Sequence, residues 1–358
     1  MPDPIRILVV DDSIIVRKAV TEALASDSEI CVVGSAANGK IALAKIPELK
    51  PDVLILDIEM PICDGYGVLR EIRKRGIKVW TIMFSTLTKR GAVQTIKALT
   101  LGAHDYVSKP TTESGISGYQ ENLKRIAAEL IPKIKQFRNQ RPVVKSKIQP
   151  VSKSAKPLIH LGKRPVPEVL AIGISTGGPE ALSKLLPEIS EDFPVPIVIV
   201  QHMPKLFTKM LADRLDKDSK ISVKEGAEGM ILKPGTAYVA PGDHHLCLHK
   251  NARQACIALN QKPPQNSCRP SADYLFRSVA EVFGGRALGI IMTGMGQDGL
   301  DGLRMVKAKG GYVIAQDQSS SVIWGMPAAV VKAGLADAVL PLYRIAKEIE
   351  GYFKISIT

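Results

Sequence analysis

The sequence predicts two successive α/β units, each built on a parallel sheet, joined by a basic segment that contains proline. Three observations carry this. Short apolar runs alternate with amphipathic stretches over residues 5–110, and the same alternation resumes after Glu168. Between them, Arg141–Pro167 is rich in Pro, Ser and Lys and has little apolar periodicity. A length of 358 residues suits about two domains, and 45% hydrophobic with 23% charged residues is ordinary globular composition.

In the first unit the strand candidates are Ile5–Val10, Cys31–Ser35, Val53–Ile58, Val79–Ser85 and Asp105–Ser108, separated by helical patterns such as Ser13–Ala25. Five such strands suit a flavodoxin-like order, in which ligands sit at the carboxyl ends of the strands. Residues 112–140 read as helix that then loses its pattern. In the second unit the candidates are Val169–Ile174, Pro196–Gln201, Ala237–Val239, Ala287–Thr293 and Gly311–Ala315, which predict a doubly wound, mainly parallel sheet. The expected boundaries are 1–125 for the first domain, 126–167 for the helix end and linker, and 168–358 for the second domain.

Charge placement excludes some function classes. The net charge is +13, but Leu130–Pro167 holds ten basic residues and no acid, which leaves about +3 for the remainder. The basicity marks the tether, so neither domain has a nucleic-acid-binding balance. The five cysteines form no C-x-x-C pair, and an odd count argues against a disulfide framework. No apolar run reaches the roughly 18 residues that span a bilayer. The MPDPIRILVVDD start lacks a basic region followed by a long apolar core, so a cytoplasmic protein, not embedded in membrane, is expected.

Strand one of the first unit ends in Asp11 and Asp12, strand three in Asp57, strand four in Ser85 and strand five in Lys109. In a parallel sheet these ends share one edge. Three carboxylates there repel one another unless a hard divalent cation joins them, and Mg2+ takes a few carboxylates with water and phosphate oxygens. A lysine and a small hydroxyl complete a phosphate site, where the central carboxylate can form an aspartyl phosphate. Any one of these acids alone reads as a helix N-cap; the complete set at matching strand ends does not. The stretches LVVDDS, LILDIEMPICDGYGVL, IMFST and GAHDYVSKP make residues 5–125 resemble the response-regulator receiver family. That resemblance implies Asp57 as phosphoacceptor, and Asp11, Asp12, Asp57 and the Glu59 backbone carbonyl as Mg2+ ligands. It also implies Ser85 as the switch hydroxyl and Lys109 as the phosphoryl contact. Cys63 stands where many relatives carry Met, a change read as neutral.

In the second unit, Val169–Ile174 runs into GISTGGPEAL. Gly173, Ser175 and Gly177 fit a strand–turn–helix elbow that presents a serine at the sheet edge, near helix N–H groups that can support an oxyanion. The same glycines also suit a phosphate cradle. The strand in PVPIVIVQHMP ends at His202, and ALGIIMT leads into GMGQDG, which brings Asp298 to the same edge. Serine, histidine and aspartate at three strand ends can serve as nucleophile, base and orienting acid, in a chain order that differs from the α/β-hydrolases.

Two other patterns compete. Gly294, Gly296 and Gly299 form a G-x-G-x-x-G, with Asp317 where a ribose-binding acid would lie. Against that reading, Asp298 would oppose a pyrophosphate and His202 would have no task. His244, His245, Cys247 and His249 invite zinc, with the last three on one face of a strand. The PGD turn before them favours a plain surface strand.

AIGISTGGPEAL, IVIVQHMP, YVAPGDHHL, RPSADYLFRSVA, MTGMGQDGLDGL and QDQSSSVIWGMPAAVVKAGLADAVLPL make residues 168–350 resemble the catalytic domain of the chemotaxis-receptor methylesterase family. The resemblance implies Ser175 as nucleophile, His202 as base, Asp298 as its orienting acid and the Met295 N–H as oxyanion donor. Cys268 departs from the His that many relatives carry before RPS, which touches substrate-side contacts and not the triad. The implied activity is hydrolysis of glutamyl methyl esters, and deamidation of glutamines, on methyl-accepting chemotaxis receptors. The esterase reaction needs no cofactor in this reading, and a chemotaxis histidine kinase supplies the phosphoryl group. One switch tethered to one catalytic module leads to the expectation that the unphosphorylated receiver occludes the esterase. A DNA-binding regulator would need a shorter, more helical second half, and an oxidoreductase would have to bind NAD.

Overall fold

The computed structural model describes residues 3–86, 88–109, 115–138, 165–251 and 254–355, so most of the expected linker lies outside the described residues. The chain divides into two compact units, Met1–Ile148 and Gln149–Thr358.

The first unit runs β1 (Ile5–Val10), α1 (Ile14–Leu24), β2 (Ile30–Ala36), α2 (Gly39–Leu49), β3 (Val53–Leu56), α3 (Gly65–Arg75), β4 (Trp80–Ser85), α4 (Lys89–Thr100), β5 (Asp105–Ser108) and α5 (Gly115–Lys135). The five strands pair in parallel in the order β2-β1-β3-β4-β5, the flavodoxin-like arrangement. β3 and β4 are buried at every position, as strands covered on both faces must be, which is why they read as unbroken apolar runs. Successive strands leave β1 in opposite directions, so the crevice opens between the ends of β1 and β3. Ser13, Asn38, Asp64 and Thr88 cap helices α1 to α4, each accepting a backbone N–H. None of Asp11, Asp12 or Asp57 is an N-cap. The end of α5 and the turn after it bind back to their own unit. Lys133 reaches Asp105 at 2.6 Å, Lys135 reaches Asp27 at 2.7 Å, and Arg138 pairs with Glu29. Phe137 stacks on Trp80 with ring centroids 4.4 Å apart. Three of the ten bases assigned to the tether are therefore partnered here.

The second unit runs β6 (Val169–Ile174), α6 (Gly178–Leu185), β7 (Ile197–Gln201), α7 (Lys205–Asp218), β8 (Ser222–Glu225), β9 (Thr236–Val239), β10 (His245–Asn251), β11 (Gln254–Asn260), α8 (Ala272–Phe283), β12 (Ala287–Ile291), α9 (Leu300–Ala308), β13 (Tyr312–Gln316), α10 (Met326–Lys332), β14 (Ala338–Leu340) and α11 (Leu342–Ile355). Seven strands form one sheet, β14-β13-β12-β6-β7-β9-β8, in which every pairing is parallel. β10 and β11 make a separate antiparallel hairpin. The order places β12, β6 and β7 side by side, so the three loops carrying Asp298, Ser175 and His202 leave adjacent strands. Phe276 of α8 is fully buried, close enough to the sheet that a Cβ on Gly173 would lie 3.0 Å from its ring. Burying such a ring contributes about 1.5–3 kcal/mol. This seat aims the N-terminus of α8 at the loop after β12.

Candidate active site

In the first unit, Asp11 and Asp57 are buried and Asp12 is exposed. Lys109 Nζ lies 2.7 Å from Asp11 Oδ2 and 2.9 Å from Asp57 Oδ2. One oxygen from each of the three acids lies within 4.8 Å of the other two. Three carboxylates against one ammonium leave negative charge that suits a hard divalent cation. A cavity of about 270 Å³, lined by Asp12, Asp57, Glu59, Ser85 and Lys109 among others, opens beside them. Burial pushes the Asp57 carboxyl up to about 6, against the opposing pull of Lys109. The Glu59 side chain is engaged elsewhere, accepting from Gln94 Nε2 at 2.8 Å and pairing with Arg90 at 3.0 Å. Ser85 Oγ is 2.6 Å from Thr95 Oγ1 of α4, and Thr95 donates to the Gly91 carbonyl at 2.8 Å. Ser85 is therefore the donor to Thr95, and its hydroxyl is tied to α4.

In the second unit, Ser175 follows β6 directly, half-buried, and α6 begins three residues later behind Gly177 at φ 77°. Gly294 allows the close approach of the next loop: a Cβ there would lie 2.7 Å from Ser175 Cβ. That loop is fixed by Gly294 N–H to the Ile323 carbonyl at 2.9 Å, and the Gly294 carbonyl accepts from Met326 N–H at 2.9 Å. Among the described residues no group accepts the Met295 N–H, and Met295 is 50% exposed. The Met295 N–H thus follows directly on the glycine whose close approach brings this loop to Ser175.

The His202 N–H donates to the Ile174 carbonyl at 3.2 Å, so Ser175 and His202 are neighbours across β6 and β7. His202 Nε2 is 2.7 Å from Asp298 Oδ2. Asp298 is buried and accepts from Ser271 Oγ at 2.7 Å, from the Ala272 N–H at 2.6 Å and from Asn266 Nδ2 at 3.1 Å. Burial opposes its ionisation, but His202, Ser271 and the α8 N-terminus hold the carboxyl well below the ordinary range. Burial likewise favours neutral His202, yet the contacts with Asp298 and Cys268 raise the imidazole to about 9. Among the described residues no hydrogen bond joins Ser175 Oγ to His202. The atom against His202 Nδ1 is Cys268 Sγ, at 3.4 Å. Cys268 was expected to affect substrate contacts alone; it lies against the imidazole instead. Sequence reasoning also missed Asn266, Ser271 and Asp273, and only the Ser271 N-cap before an apolar helix left a signal.

The competing patterns resolve in physical terms. The N-terminus of α9, where a pyrophosphate would sit, already donates from Gly302 N–H to Asp273 Oδ1 at 2.7 Å. Asp317 accepts from Ser319 and Ser320 within its own turn. His245 is fully buried and spends both ring nitrogens, with Nδ1 accepting from Ser271 N–H at 3.2 Å and Nε2 on the Pro263 carbonyl at 3.2 Å. It is a structural histidine stacked on Tyr274, neither a zinc ligand nor part of a plain surface strand. Among the described residues no helix is long and apolar enough to cross a membrane.

Residues 170–349 match the CheB methylesterase family model, and residues 7–118 match the response regulator receiver domain. The chain is 47% identical over 350 residues to the protein-glutamate methylesterase/protein-glutamine glutaminase of Trichodesmium erythraeum (strain IMS101), covering 96% of this chain and 97% of that one. It is 42% identical over 352 residues to the protein of the same name from Pyrococcus horikoshii, covering 96% and 92%. The crystal structure of the Thermotoga maritima CheB methylesterase catalytic domain superposes with a TM-score of 0.51 at 44% identity, covering 51% of this chain and 98% of that one. With a receiver sheet carrying its acidic edge and a parallel sheet carrying Ser175, His202 and Asp298, this chain belongs to the CheB methylesterase family.

Proposed function

We propose that this chain is a phosphorylation-regulated serine esterase. It removes methyl groups from glutamyl methyl esters, and deamidates glutamines, on methyl-accepting chemotaxis receptors. The supporting observation is the convergence of Ser175, His202 and Asp298 at the ends of three adjacent parallel strands, with His202 already bound to Asp298 at 2.7 Å. His202 Nδ1 accepts the Ser175 proton as Oγ attacks the ester carbonyl, and Asp298 stabilises the imidazolium from Nε2. The Met295 N–H takes the developing oxyanion charge. Nδ1–H then protonates the departing methoxide, releasing methanol. Water, deprotonated by the same nitrogen, hydrolyses the acyl-serine and returns glutamate. With ammonia as leaving group the same steps convert glutamine to glutamate.

In the receiver, Asp57 accepts the phosphoryl group from a chemotaxis histidine kinase. Asp11, Asp12, Asp57 and the Glu59 carbonyl would hold Mg2+, which supplies charge neutralisation at the phosphoryl oxygens when bound. Lys109 contacts the phosphoryl oxygens. Ser85 turns from Thr95 toward the new anion, which frees α4 to respond. Methanol release from methylated receptor membranes, with and without a small phosphodonor, tests the reading. The wild-type rate should rise with the donor, and Asp57→Asn should lose that rise while keeping its basal rate. A donor effect that survives Asp57→Asn would place the switch elsewhere.

The imidazole pKa of about 9 sets a pH dependence. The base is active when neutral and the raised value favours the charged form, so kcat/KM should climb about tenfold per pH unit below about 9 and level above it. A methanol-release profile from pH 6 to 10 that is already flat above 7 would contradict the arrangement.

A further inference from the structure

Cys268 is placed deliberately by its loop. Asn266 and Ser267 both adopt the left-handed region, at φ 51° and 61°, and the Gln265–Cys268 pair exchanges backbone hydrogen bonds at 3.1 and 2.8 Å. Asn266 Nδ2 then donates to Asp273 at 3.0 Å and to Asp298 at 3.1 Å, which locks the turn onto the acid that holds His202. The outcome is a thiol sulfur 3.4 Å from His202 Nδ1 and a carboxylate 2.7 Å from Nε2 on the opposite side of the ring.

Tetrahedral zinc binds Cys sulfur at about 2.3 Å and His nitrogen at about 2.0–2.1 Å, which separates the two ligand atoms by about 3.5 Å. The Sγ to Nδ1 spacing already has that value. Asp298 supplies the usual outer partner, a carboxylate accepting from the other ring N–H of a metal-bound histidine. By contrast, the His245, Cys247 and His249 row fails because His245 has no free nitrogen.

We infer that Cys268 Sγ and His202 Nδ1 form a Zn2+ site that shuts off the esterase by occupying the nitrogen that must take the Ser175 proton. Asp298 holds the imidazole in place, and water or Ser175 Oγ fills the remaining positions. Binding releases two protons to solvent, one from the thiol and one from Nδ1 of the imidazolium, and forms sulfur–zinc and nitrogen–zinc bonds, with no redox change. With two protein ligands the metal is exchangeable, so zinc acts as a reversible inhibitor and not as a structural element. The binding claim is independent of the proposed function; the inhibition claim rests on His202 being its base.

The test uses the full-length chain, stripped with chelator and kept in excess Mg2+ so that the receiver carboxylates are not available to zinc. Titration with Zn2+ should fill one site per chain, and Co2+ in its place should give a thiolate-to-cobalt charge-transfer band in the near ultraviolet. Cys268→Ala and His202→Gln should each abolish the site, and Asp298→Asn should weaken it about tenfold or more. Circular dichroism of each variant separates loss of the site from loss of the fold. Wild-type methanol release should fall as the site fills and recover with chelator, whereas the Cys268→Ala rate, whatever its basal value, should show the same rate with and without Zn2+. Zinc binding that persists in Cys268→Ala, or cobalt binding without the thiolate band, overturns the site. A thiolate-bound metal that leaves methanol release untouched overturns the inhibition and counts against His202 as the base.

Discussion

Ser175→Ala should lower kcat for methanol release on the order of 10^6-fold while leaving receptor binding near its original strength. In the proposed mechanism the Ser175 Oγ is the one atom that becomes bonded to substrate, and removing it leaves only the Met295 N–H and binding contacts to assist water. KM should change little, because the Oγ interaction develops in the transition state. Phosphoryl uptake at Asp57 provides the internal control: the receiver carries its own machinery, so labelling from a phosphodonor should match wild type. Full methanol release from Ser175→Ala, measured on methylated receptor membranes, would remove the serine from the mechanism.

Asp298→Asn should cost on the order of 10^4-fold in kcat, about 5 kcal/mol of transition-state stabilisation. The amide preserves shape but loses the charge that holds the imidazolium, and it can present an N–H where His202 needs an acceptor. The surroundings magnify the effect. Ser271 Oγ and the Ala272 N–H, at 2.7 and 2.6 Å, are arranged to donate to an anion. An asparagine accepts from them with one oxygen only, so a buried donor is left without its partner, at a cost of about 1–3 kcal/mol in stability. The variant should therefore unfold at lower denaturant concentration as well as turn over slowly. If Asp298→Asn retains wild-type turnover, the acid does not serve the histidine.

How much of this was legible beforehand follows from burial. Strands covered on both faces must be apolar at nearly every position, so β1, β3, β4, β6, β7 and β12 stood out as runs, and the residues following them marked the functional edges. The edge strands β8 and β14 span 4 and 3 residues and carry half-exposed or exposed positions, so they offered no run to find. The expected strand Val53–Ile58 is shorter in the fold, ending at Leu56, although the Asp57 N–H still donates to the Val10 carbonyl at 2.8 Å. Asp57 folds its carboxylate onto the Ile58 N–H at 2.7 Å. The contact between Cys268 and His202 spans 66 residues and depends on two non-glycine residues adopting a left-handed backbone. Spacing rules carry no information about such a turn. The His244–His249 segment, expected as a plain surface strand, instead buries His245, whose ring nitrogens are bonded to backbone groups of Pro263 and Ser271 far along the chain.

The short turn that ends at Cys268 separates two duties. Asn266 braces the acid through its amide, and the side chain two positions later alone meets the imidazole. Exchange at position 268 can therefore proceed without loosening the brace. The turn works as an interchangeable tip on a fixed handle: a change at position 268 alters what stands against Nδ1 while the Asn266 contacts with Asp273 and Asp298 stay in place.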